Sequence, residues 1–383
     1  MKPLESKLPA AGTTIFSVMT QLAERHGAVN LSQGFPDFDP PAPLVERVVA
    51  RLEDHRNQYA PMPGVLELRE AIAAKLEACY GVHADPSAEV TVTSGATEAL
   101  FCAIHAVVRP ADEVIVFDPA YDSYEPAVAL AGGRTIHVPL SAPDFAIDWD
   151  RLETAVGPRT RLVIINSPHN PTGSLLSTED LDRLARLLEH RDCYVLSDEV
   201  YEHIVFDGLR HASVLAQPQL AERSFAVFSF GKTYHATGWK VGYCVAPSAL
   251  MQEFRRIHQY LNFAVVTPIQ YALADFLAAC PQHHQRLGEF YGAKRDLFRR
   301  LLAPTPFELR PSKGTYFQLA GYGRVSDLED LEFARWLTVA HGVAVIPISV
   351  FCQARPAERL IRFCFAKQDA TLEEAARRLA ELS

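Results

Sequence analysis

Short apolar runs alternate with helical patterns through the middle of the chain. Leu68, Ile72 and Leu76 recur every four residues, the spacing of one face of a helix. Seven later runs have the length and β-branched content of strands: EVTVT, EVIVF, RTIHV, RLVII, YVLSD, FAVFS and VGYCV. Several of these runs are continuously apolar, which indicates strands buried on both faces. Strands interleaved with amphipathic helices predict an α/β fold with a mostly parallel, doubly wound sheet.

The pattern changes near Leu250. Long helical patterns run to about Leu302, and they are followed by FELRPSKGTYFQLAG, a helix around Glu332, VAVIPISVF, RLIRFCFA and a final helix. The short run VAVIPISVF predicts a buried strand. We therefore expect a large domain over 46–285, with 1–45 and 286–383 forming an N-terminal segment and a smaller α+β domain.

Composition and charge exclude several classes of protein. The chain has 383 residues, of which 48% are hydrophobic and 22% charged, so it can bury a large core and is not disordered. A net charge of −9 disfavours broad binding to nucleic acid or anionic membranes. The N-terminus has no apolar stretch of signal-peptide length, and nowhere do ~18 apolar residues run together. Seven cysteines without a C-x-x-C pair indicate a reducing compartment, so we expect a cytoplasmic protein.

Polar motifs follow several predicted strands, at the edge of an open α/β sheet where ligands bind. TSGATEA at Thr93–Ala99 places a small-residue turn before a helix, which favours an anion site or an ordinary capped turn. NSPHNPTG at Asn166–Gly173 presents Asn170 from a rigid loop, although a structural turn explains its prolines and glycine equally well. Asp198 directly follows the apolar run YVLS, where a carboxylate needs a cation or good hydrogen bonds.

Lys232 follows another strand, in SFGKTYHATGWKVGY. Its GKT triplet imitates a phosphate-binding P-loop, but Ala226 stands where that loop requires a glycine. A lone lysine is usually on the surface, and the aromatic and glycine neighbours of Lys232 favour a buried site instead. Arg362 lies within the apolar run RLIRFCFA, and it suits capture of a carboxylate if buried. The alternation of that run leaves open whether Arg362 or Arg359 faces solvent.

These groups together fit the chemistry of pyridoxal phosphate. Lys232 fits the residue that bonds the cofactor aldehyde as a Schiff base, and Asp198 the carboxylate that keeps the ring nitrogen protonated. Arg362 would hold the substrate carboxylate, and Tyr121 in DPAYDSY would cover a ring face. The amides and cations available to the phosphate are those of 94–97, Ser229 and Lys240.

The ordered set of motifs resembles the fold type I pyridoxal-phosphate aminotransferases of class I/II. It runs from NLSQGFPDFDPP through NQYAPMPG, TSGATEAL, DPAYDSY, NSPHNPTG, SDEVYEH and SFGKTYHATGWKVGY to IRFCFAK. Within this family the chain is most similar to bacterial methionine aminotransferases and next to the kynurenine–oxoglutarate transaminase branch. The resemblance implies the fold type I architecture, with a large and a small domain.

The resemblance also implies a role for each matching residue. The implied catalytic residues are Lys232, Asp198 and Tyr121. The implied cofactor-binding residues are Gly95, Ala96, Thr97, Tyr121, Asn170, Asp198, Tyr201, Ser229, Lys232, Lys240 and, reaching from a neighbouring subunit, Tyr59. The implied substrate-binding residues are Gly34, Asn170, Arg362 and Phe16. Tyr59 thus implies a homodimer with shared sites, and Lys240 replaces an arginine that is common in the wider family.

The predicted function is a ping-pong transamination between amino acids and 2-oxo acids. We expect methionine as donor, with aromatic and related amino acids as further donors, since Phe16, Tyr59, Tyr121 and Phe263 offer apolar surface. A cysteine-conjugate C–S β-lyase of the same fold is an alternative. A pyridoxal-sensing regulator is another alternative. Such regulators carry a DNA-binding helix, but no basic recognition helix is visible in the roughly 30 residues before the motif NLSQGFPDFDPP.

The histidines give weaker signals. His283 and His284 lack further ligands at metal spacing, so we expect no metal site. His169 and His235 flank the site motifs, where they either touch substrate or make structural hydrogen bonds.

Overall fold

Thirteen strands and fifteen helices are formed by residues 4–9 and 11–382, which the computed structural model describes. The strands are β1 (Val29–Asn30), β2 (Val90–Thr93), β3 (Glu113–Asp118), β4 (Arg134–Pro139), β5 (Thr160–Asn166), β6 (Tyr194–Asp198), β7 (Ser224–Ser229), β8 (Gly242–Val245), β9 (Glu308–Leu309), β10 (Phe317–Gly321), β11 (Val343–Ala344), β12 (Ile346–Pro347) and β13 (Leu360–Cys364). The helices are α1 (Ile15–His26), α2 (Ala42–Glu53), α3 (Leu66–Tyr80), α4 (Gly95–Val107), α5 (Tyr124–Leu130), α6 (Trp149–Ala155), α7 (Thr178–Leu188), α8 (Pro218–Ala221), α9 (Phe230–Thr233), α10 (Ser248–Leu261), α11 (Thr267–Ala279), α12 (Gln282–Gln285), α13 (Leu287–Leu302), α14 (Asp330–Ala340) and α15 (Asp369–Leu379).

The central sheet has seven strands in the order β2-β8-β7-β6-β5-β3-β4. Strand β8 runs antiparallel to both of its neighbours, and the remaining strand pairs are parallel. All seven strands coincide with the apolar runs of the sequence. The prediction of a mostly parallel α/β sheet is therefore confirmed.

Both faces of this sheet are buried, as the continuous apolar runs indicate. In β5, Val163 and Ile165 pack into one hydrophobic core, while Leu162 and Ile164 pack into the core on the opposite face. Since successive side chains of a strand point to opposite faces, a strand between two cores needs apolar residues at every position. Helices α3, α7 and α11 cover the first face, and helices α4, α5 and α10 cover the second.

A further hydrophobic core surrounds an antiparallel sheet with the order β12-β13-β10-β9. The run VAVIPISVF, which predicted one buried strand, is instead divided between two sheets. Val343 and Ala344 pair with β1, whereas Ile346 and Pro347 form the edge of the antiparallel sheet. Pro347 has no N–H to donate, so it fits an edge strand.

Helix α1 packs on this core through Met19. The division of the chain into domains at 46 and 285 stays a prediction. No helix among the described residues is long and apolar enough to cross a membrane.

Candidate active site

A cavity opens where strands β5, β6 and β7 end and helix α4 begins. It encloses about 920 Å³ of space, some of it open to solvent. Thirteen of the fourteen predicted site residues line it: Phe16, Gly34, Gly95, Ala96, Thr97, Tyr121, Asn170, Asp198, Tyr201, Ser229, Lys232, Lys240 and Arg362. The ends of adjacent strands and the core around the antiparallel sheet thus bring together residues from distant parts of the sequence.

Lys232 lies in the short helix α9, directly after β7. Its amine donates to the carbonyl of Gly34 at 3.1 Å and to the hydroxyl of Tyr316 at 2.9 Å. Burial lowers the pKa of Lys232 to about 8, because a charged amine is poorly solvated there. A neutral amine, which can act as a nucleophile or a base, is therefore accessible near neutral pH.

Asp198 is the last residue of β6 and is buried. The hydroxyl of Tyr124 donates to its Oδ2 at 2.7 Å. Burial nevertheless raises the pKa of Asp198 to about 6, and the bond from Tyr124 opposes this shift only in part. The carboxylate would be stabilised by a cationic N–H group placed in the cavity.

Arg362 points from β13 into the same cavity and is 1% exposed. Its Nη1 donates to Oδ1 of Asn170 at 2.8 Å, and its Nη2 donates to the carbonyl of Ser32 at 2.9 Å. Its Nε is buried without a hydrogen-bond partner among residues 4–9 and 11–382. Arg359 is instead paired with Asp327 at 2.7 Å, on a partly exposed surface. Arg362 is therefore the buried arginine of this run, and Arg359 is the one that faces solvent.

Aromatic rings surround the Arg362 guanidinium. Its central carbon lies 3.9 Å from the ring centre of Phe317, 5.4 Å from that of Phe16 and 5.7 Å from that of Phe351. These rings attract the cation and help to hold it in place. The guanidinium therefore keeps a donor free for an anionic ligand.

The first turn of α4 forms another wall of the cavity. Gly95 has a φ of +72°, and a Cβ there would lie 3.2 Å from Cε and Nζ of Lys240. Glycine therefore lets the lysine approach the N-terminus of the helix, where free amides and the helix dipole favour an anion. Lys240 itself has a φ of 54°, which is uncommon for a residue with a side chain. Ser229 ends β7 beside this wall.

Two tyrosines complete the cavity. Burial raises the pKa of Tyr201, so its phenol stays protonated and can donate a hydrogen bond. Burial raises the pKa of Tyr121 to about 12. The Tyr121 ring stands edge-on to Tyr124 at 5.6 Å, and it offers an apolar surface to the cavity.

Tyr59 lies outside the cavity that the described residues line. It is 86% exposed, and its ring contacts that of Phe263, itself 46% exposed, at 5.5 Å between centres. These two residues are therefore not part of the apolar lining within one chain. The role of Tyr59 at the phosphate of a neighbouring subunit stays a prediction.

The histidines next to the site motifs make internal contacts. Nδ1 of His169 lies 2.7 Å from the hydroxyl of Thr172, and Nδ1 of His235 lies 2.9 Å from the hydroxyl of Tyr291. Burial lowers the pKa of His169 to about 4 and that of His235 to about 3, so both rings are neutral. Neither lines the cavity described above.

One group of metal-ligand type exists among the described residues, and it was not predicted. Glu98, Cys102 and His258 offer ligand atoms within 4.8 Å of one another. The two nitrogens of His258 lie 2.6 Å from Glu98 and 2.9 Å from the carbonyl of Met62. These contacts explain the cluster as a buried hydrogen-bond network.

Several further residues of the site were missed by sequence reasoning. Tyr124 contacts Asp198, and Tyr316, which lies in no motif of the site, contacts Lys232. Asn166, in the NSPHNPTG motif, donates to the carbonyl of Asp198 at 2.8 Å. Tyr124 lies in DPAYDSY, three residues after Tyr121, so Tyr124 and Asn166 both stand in motifs that the sequence analysis singled out.

The residues present fit pyridoxal phosphate. The unpartnered Nε of Arg362 and the glycine-lined wall beside Lys240 provide for two separate anions, a carboxylate and a phosphate. Asp198 requires a cationic partner, and a protonated ring nitrogen is one. Lys232 supplies the amine that a covalently held aldehyde needs.

Comparison with known proteins agrees with this arrangement. Residues 26–379 match the family model of aminotransferase class I and II. The chain is 54% identical to methionine aminotransferase of Escherichia coli (strain K12), over 99% of this chain and 98% of that protein. It is 42% identical to a probable N-succinyldiaminopimelate aminotransferase of Mycobacterium tuberculosis, over 99% and 98% of the two chains. It is 33% identical to mouse kynurenine–oxoglutarate transaminase 1, over 94% and 93%.

Solved structures show the same similarity. A crystal structure from E. coli, reported with a methionine aminotransferase function, superimposes with a TM-score of 0.97 over 99% of this chain and all of that one. The N-succinyldiaminopimelate aminotransferase of M. tuberculosis superimposes with a TM-score of 0.95 over the whole of both chains.

Proposed function

The chain belongs to the class I and II aminotransferases, and from this premise we propose that it transfers the amino group of methionine to a 2-oxo acid. The observation that carries the choice of methionine is the 54% identity, over 99% of the chain, to the E. coli methionine aminotransferase. The family implies pyridoxal phosphate as cofactor. When bound, this cofactor supplies an aldehyde that takes up the amino group and a ring that accepts the electrons left at Cα.

The strand ends and α4 would hold the cofactor. Asp198 would pair with the protonated ring nitrogen, and Tyr121 would cover one ring face. Tyr201 and Asn170 would donate to the ring oxygen, because both side chains reach the cavity. The phosphate would bind at the first turn of α4 with Ser229 and Lys240.

Lys232 would move the proton. Its Nζ, once neutral, would take the proton from the substrate Cα and hold it for return, and the bound cofactor would supply the carbon that accepts it. The lowered pKa of Lys232, about 8, suits both halves of this exchange, since the amine can hold and release a proton near neutral pH. Burial of the amine keeps bulk water from competing for the proton.

Arg362 would bind the substrate carboxylate through its free Nε. Asn170 holds the guanidinium in place through its Oδ1. Its amide nitrogen has two N–H groups, so one would donate to the ring oxygen and the other to the carboxylate. Gly34 lines the same cavity.

The substrate side chain would face Phe16 and Tyr121, which offer apolar surface. Apolar fit discriminates by about one to three kcal/mol per methylene, so a range of apolar and aromatic donors is expected.

We further propose a cytoplasmic homodimer in which Tyr59 reaches the phosphate of the neighbouring subunit. The exposure of Tyr59 and its separation from the cavity of its own chain support this arrangement. All seven cysteines are free, in keeping with a reducing compartment.

A panel of amino acids, each mixed with several 2-oxo acids, tests the function. We expect methionine to be among the fastest donors, with a new amino acid formed from the acceptor and detected by chromatography. The Lys232→Ala variant should form none, because the amine that carries the proton is gone.

Two results would contradict the proposal. One is a cofactor-loaded protein that converts no donor above background. The other is pyruvate released from a cysteine conjugate without any acceptor, together with no transamination, which would indicate elimination.

A further inference from the structure

The hydroxyl of Tyr316 lies against the amine on which the proposed chemistry depends. It is 2.9 Å from Nζ of Lys232 and 2.5 Å from the carbonyl oxygen of Gly34. The amine also reaches the Gly34 carbonyl, at 3.1 Å. The three groups therefore form a closed triangle of hydrogen bonds on one side of the amine.

The direction of each bond follows from the donors available. A carbonyl oxygen only accepts, so the single proton of the Tyr316 hydroxyl goes to Gly34. The hydroxyl oxygen then accepts from Lys232. A neutral amine has two N–H groups and one lone pair, and these two acceptors use both N–H groups. Among residues 4–9 and 11–382, no further acceptor lies within hydrogen-bond distance of Nζ, and the remaining direction is left for the lone pair.

Packing holds the Tyr316 hydroxyl in place. The side chain is fully buried, with the rings of Tyr201, Tyr291 and Phe317 at 5.0 to 5.5 Å between centres. The carbonyl of Tyr316 accepts from the amide of Phe365 at 2.9 Å. A buried ring with fixed neighbours has few alternative rotamers, so its hydroxyl gives a fixed reference point for a flexible lysine.

We propose that Tyr316 is a positioning residue that orients the free amine of Lys232, so that its lone pair points at the substrate Cα and the cofactor carbon. This inference rests on the proposed function. Without the hydroxyl, the amine keeps one acceptor, Gly34, and can rotate about that single bond. Proton transfer then loses its alignment, while the groups proposed to hold the cofactor stay in place.

The test compares Tyr316→Phe with Tyr291→Phe. Tyr291 is a matched control, since it is buried in the same aromatic cluster but its hydroxyl lies 2.9 Å from His235 rather than near Lys232. Tyr316→Leu is a second variant without the hydroxyl, and agreement between it and Tyr316→Phe separates the lost acceptor from a change in packing.

The first readout does not depend on turnover. In the full-length chain freed of cofactor, Lys232 is labelled with acetic anhydride across pH, and the labelled peptide is quantified by mass spectrometry. Losing a hydrogen-bond acceptor destabilises the charged ammonium form of Lys232 more than its neutral amine form. The pH at which labelling of Lys232 is half-maximal should therefore fall by about one unit in both Tyr316 variants. Tyr291→Phe should keep the wild-type midpoint.

The second readout is the single-turnover rate of the holoenzyme with methionine. We expect it to fall about 10- to 100-fold in the Tyr316 variants, because small misplacements of reacting groups have effects of this size. Cofactor affinity should stay within about twofold of wild type, and the control should keep its rate.

Unchanged labelling and turnover in the Tyr316 variants would overturn the inference, and so would an equal loss in Tyr291→Phe. A wild-type protein that transaminates no donor, but whose Lys232 titration shifts in the Tyr316 variants alone, would count against the proposed function and not against the contact.

Discussion

The Asp198 carboxyl is buried, and the positive charge of Lys232 offsets only part of its lost solvation. Its pKa is raised to about 6 by burial, even though Tyr124 donates to it. Between the ordinary value of 3.8 and this value, the folded state binds more protons than the unfolded state. The contribution of Asp198 to stability therefore falls as the pH rises through this window. Above it, the folded state bears the full cost of burying an ionised carboxylate.

Replacing Asp198 with asparagine should separate stability from activity. At pH 8 the cofactor-free Asp198→Asn chain should unfold with a free energy up to about 3 kcal/mol higher than wild type, since a shift of about two pH units has that size. The difference should shrink below pH 5, where the wild-type carboxyl is protonated. Urea unfolding at both pH values measures it.

The same Asp198→Asn change should lower transamination by orders of magnitude, because an amide cannot hold the ring nitrogen protonated. A variant that keeps wild-type turnover would remove the role proposed for the carboxylate.

Single residues also show where sequence reasoning ends. Lys232, Asp198 and Arg362 were predictable, because a charge next to or within an apolar run calls for a partner. Tyr316 was not, because the segment PSKGTYFQ around it follows no predicted strand and carries none of the motifs of the site. Its partners, Gly34 and Lys232, are 282 and 84 residues away in sequence.

Among the elements, the inner strands β3, β5, β6 and β7 were predictable because they are buried on both faces and are therefore largely apolar. The edge strand β4 is partly exposed, and it was predictable from its β-branched residues instead. The run VAVIPISVF was not, because its two halves pair with strands in different sheets, and nothing local specifies those partners. Polar contacts between elements were equally invisible. Lys75 of α3 forms a buried ion pair with Glu202, which follows β6. Tyr80 also donates to Glu202, and Lys75 donates to Tyr243 of β8 at 3.3 Å.

This ion pair fixes α3 against the segment that carries Tyr201, so breaking it should destabilise the fold. Lys75→Met leaves Glu202 buried without its cation and should lower the free energy of unfolding by about 3–5 kcal/mol at pH 7. Adding Glu202→Gln should recover most of the loss, because no buried charge remains. Urea unfolding of wild type, single and double variants measures both effects; a double variant no better than the single one would contradict this account.

For the whole molecule, apolar surface is concentrated around Tyr59. Tyr260 is 87% exposed, and Leu261, Phe263 and Val266 in the same segment are 43 to 50% exposed. Water contact with so many large apolar groups is unfavourable, and a second copy of the chain would cover them. From the sequence, the contact of Tyr59 with a neighbouring subunit was predicted through family resemblance alone. Composition and periodicity do not reveal surfaces between chains.

Mixing two defective chains tests the shared site. Tyr59→Ala and Lys232→Ala should each be weak or inactive as homodimers. A refolded equimolar mixture should recover roughly a quarter of wild-type activity, because half of the dimers are mixed and one site in each is intact.

If Tyr59 served the site of its own chain, each mixed dimer would hold two defective sites and nothing would be recovered. Sedimentation measurements on the mixture establish that the dimers form.

The bond from Arg362 to the carbonyl of Ser32 joins residues 330 positions apart in the chain. Closing so long a loop is entropically expensive and is repaid only once the intervening chain has organised. A chain in which this contact has not formed lacks the ordered guanidinium that is proposed to bind the substrate carboxylate. An amino acid that binds only the folded chain would therefore draw the population of molecules toward that state by mass action.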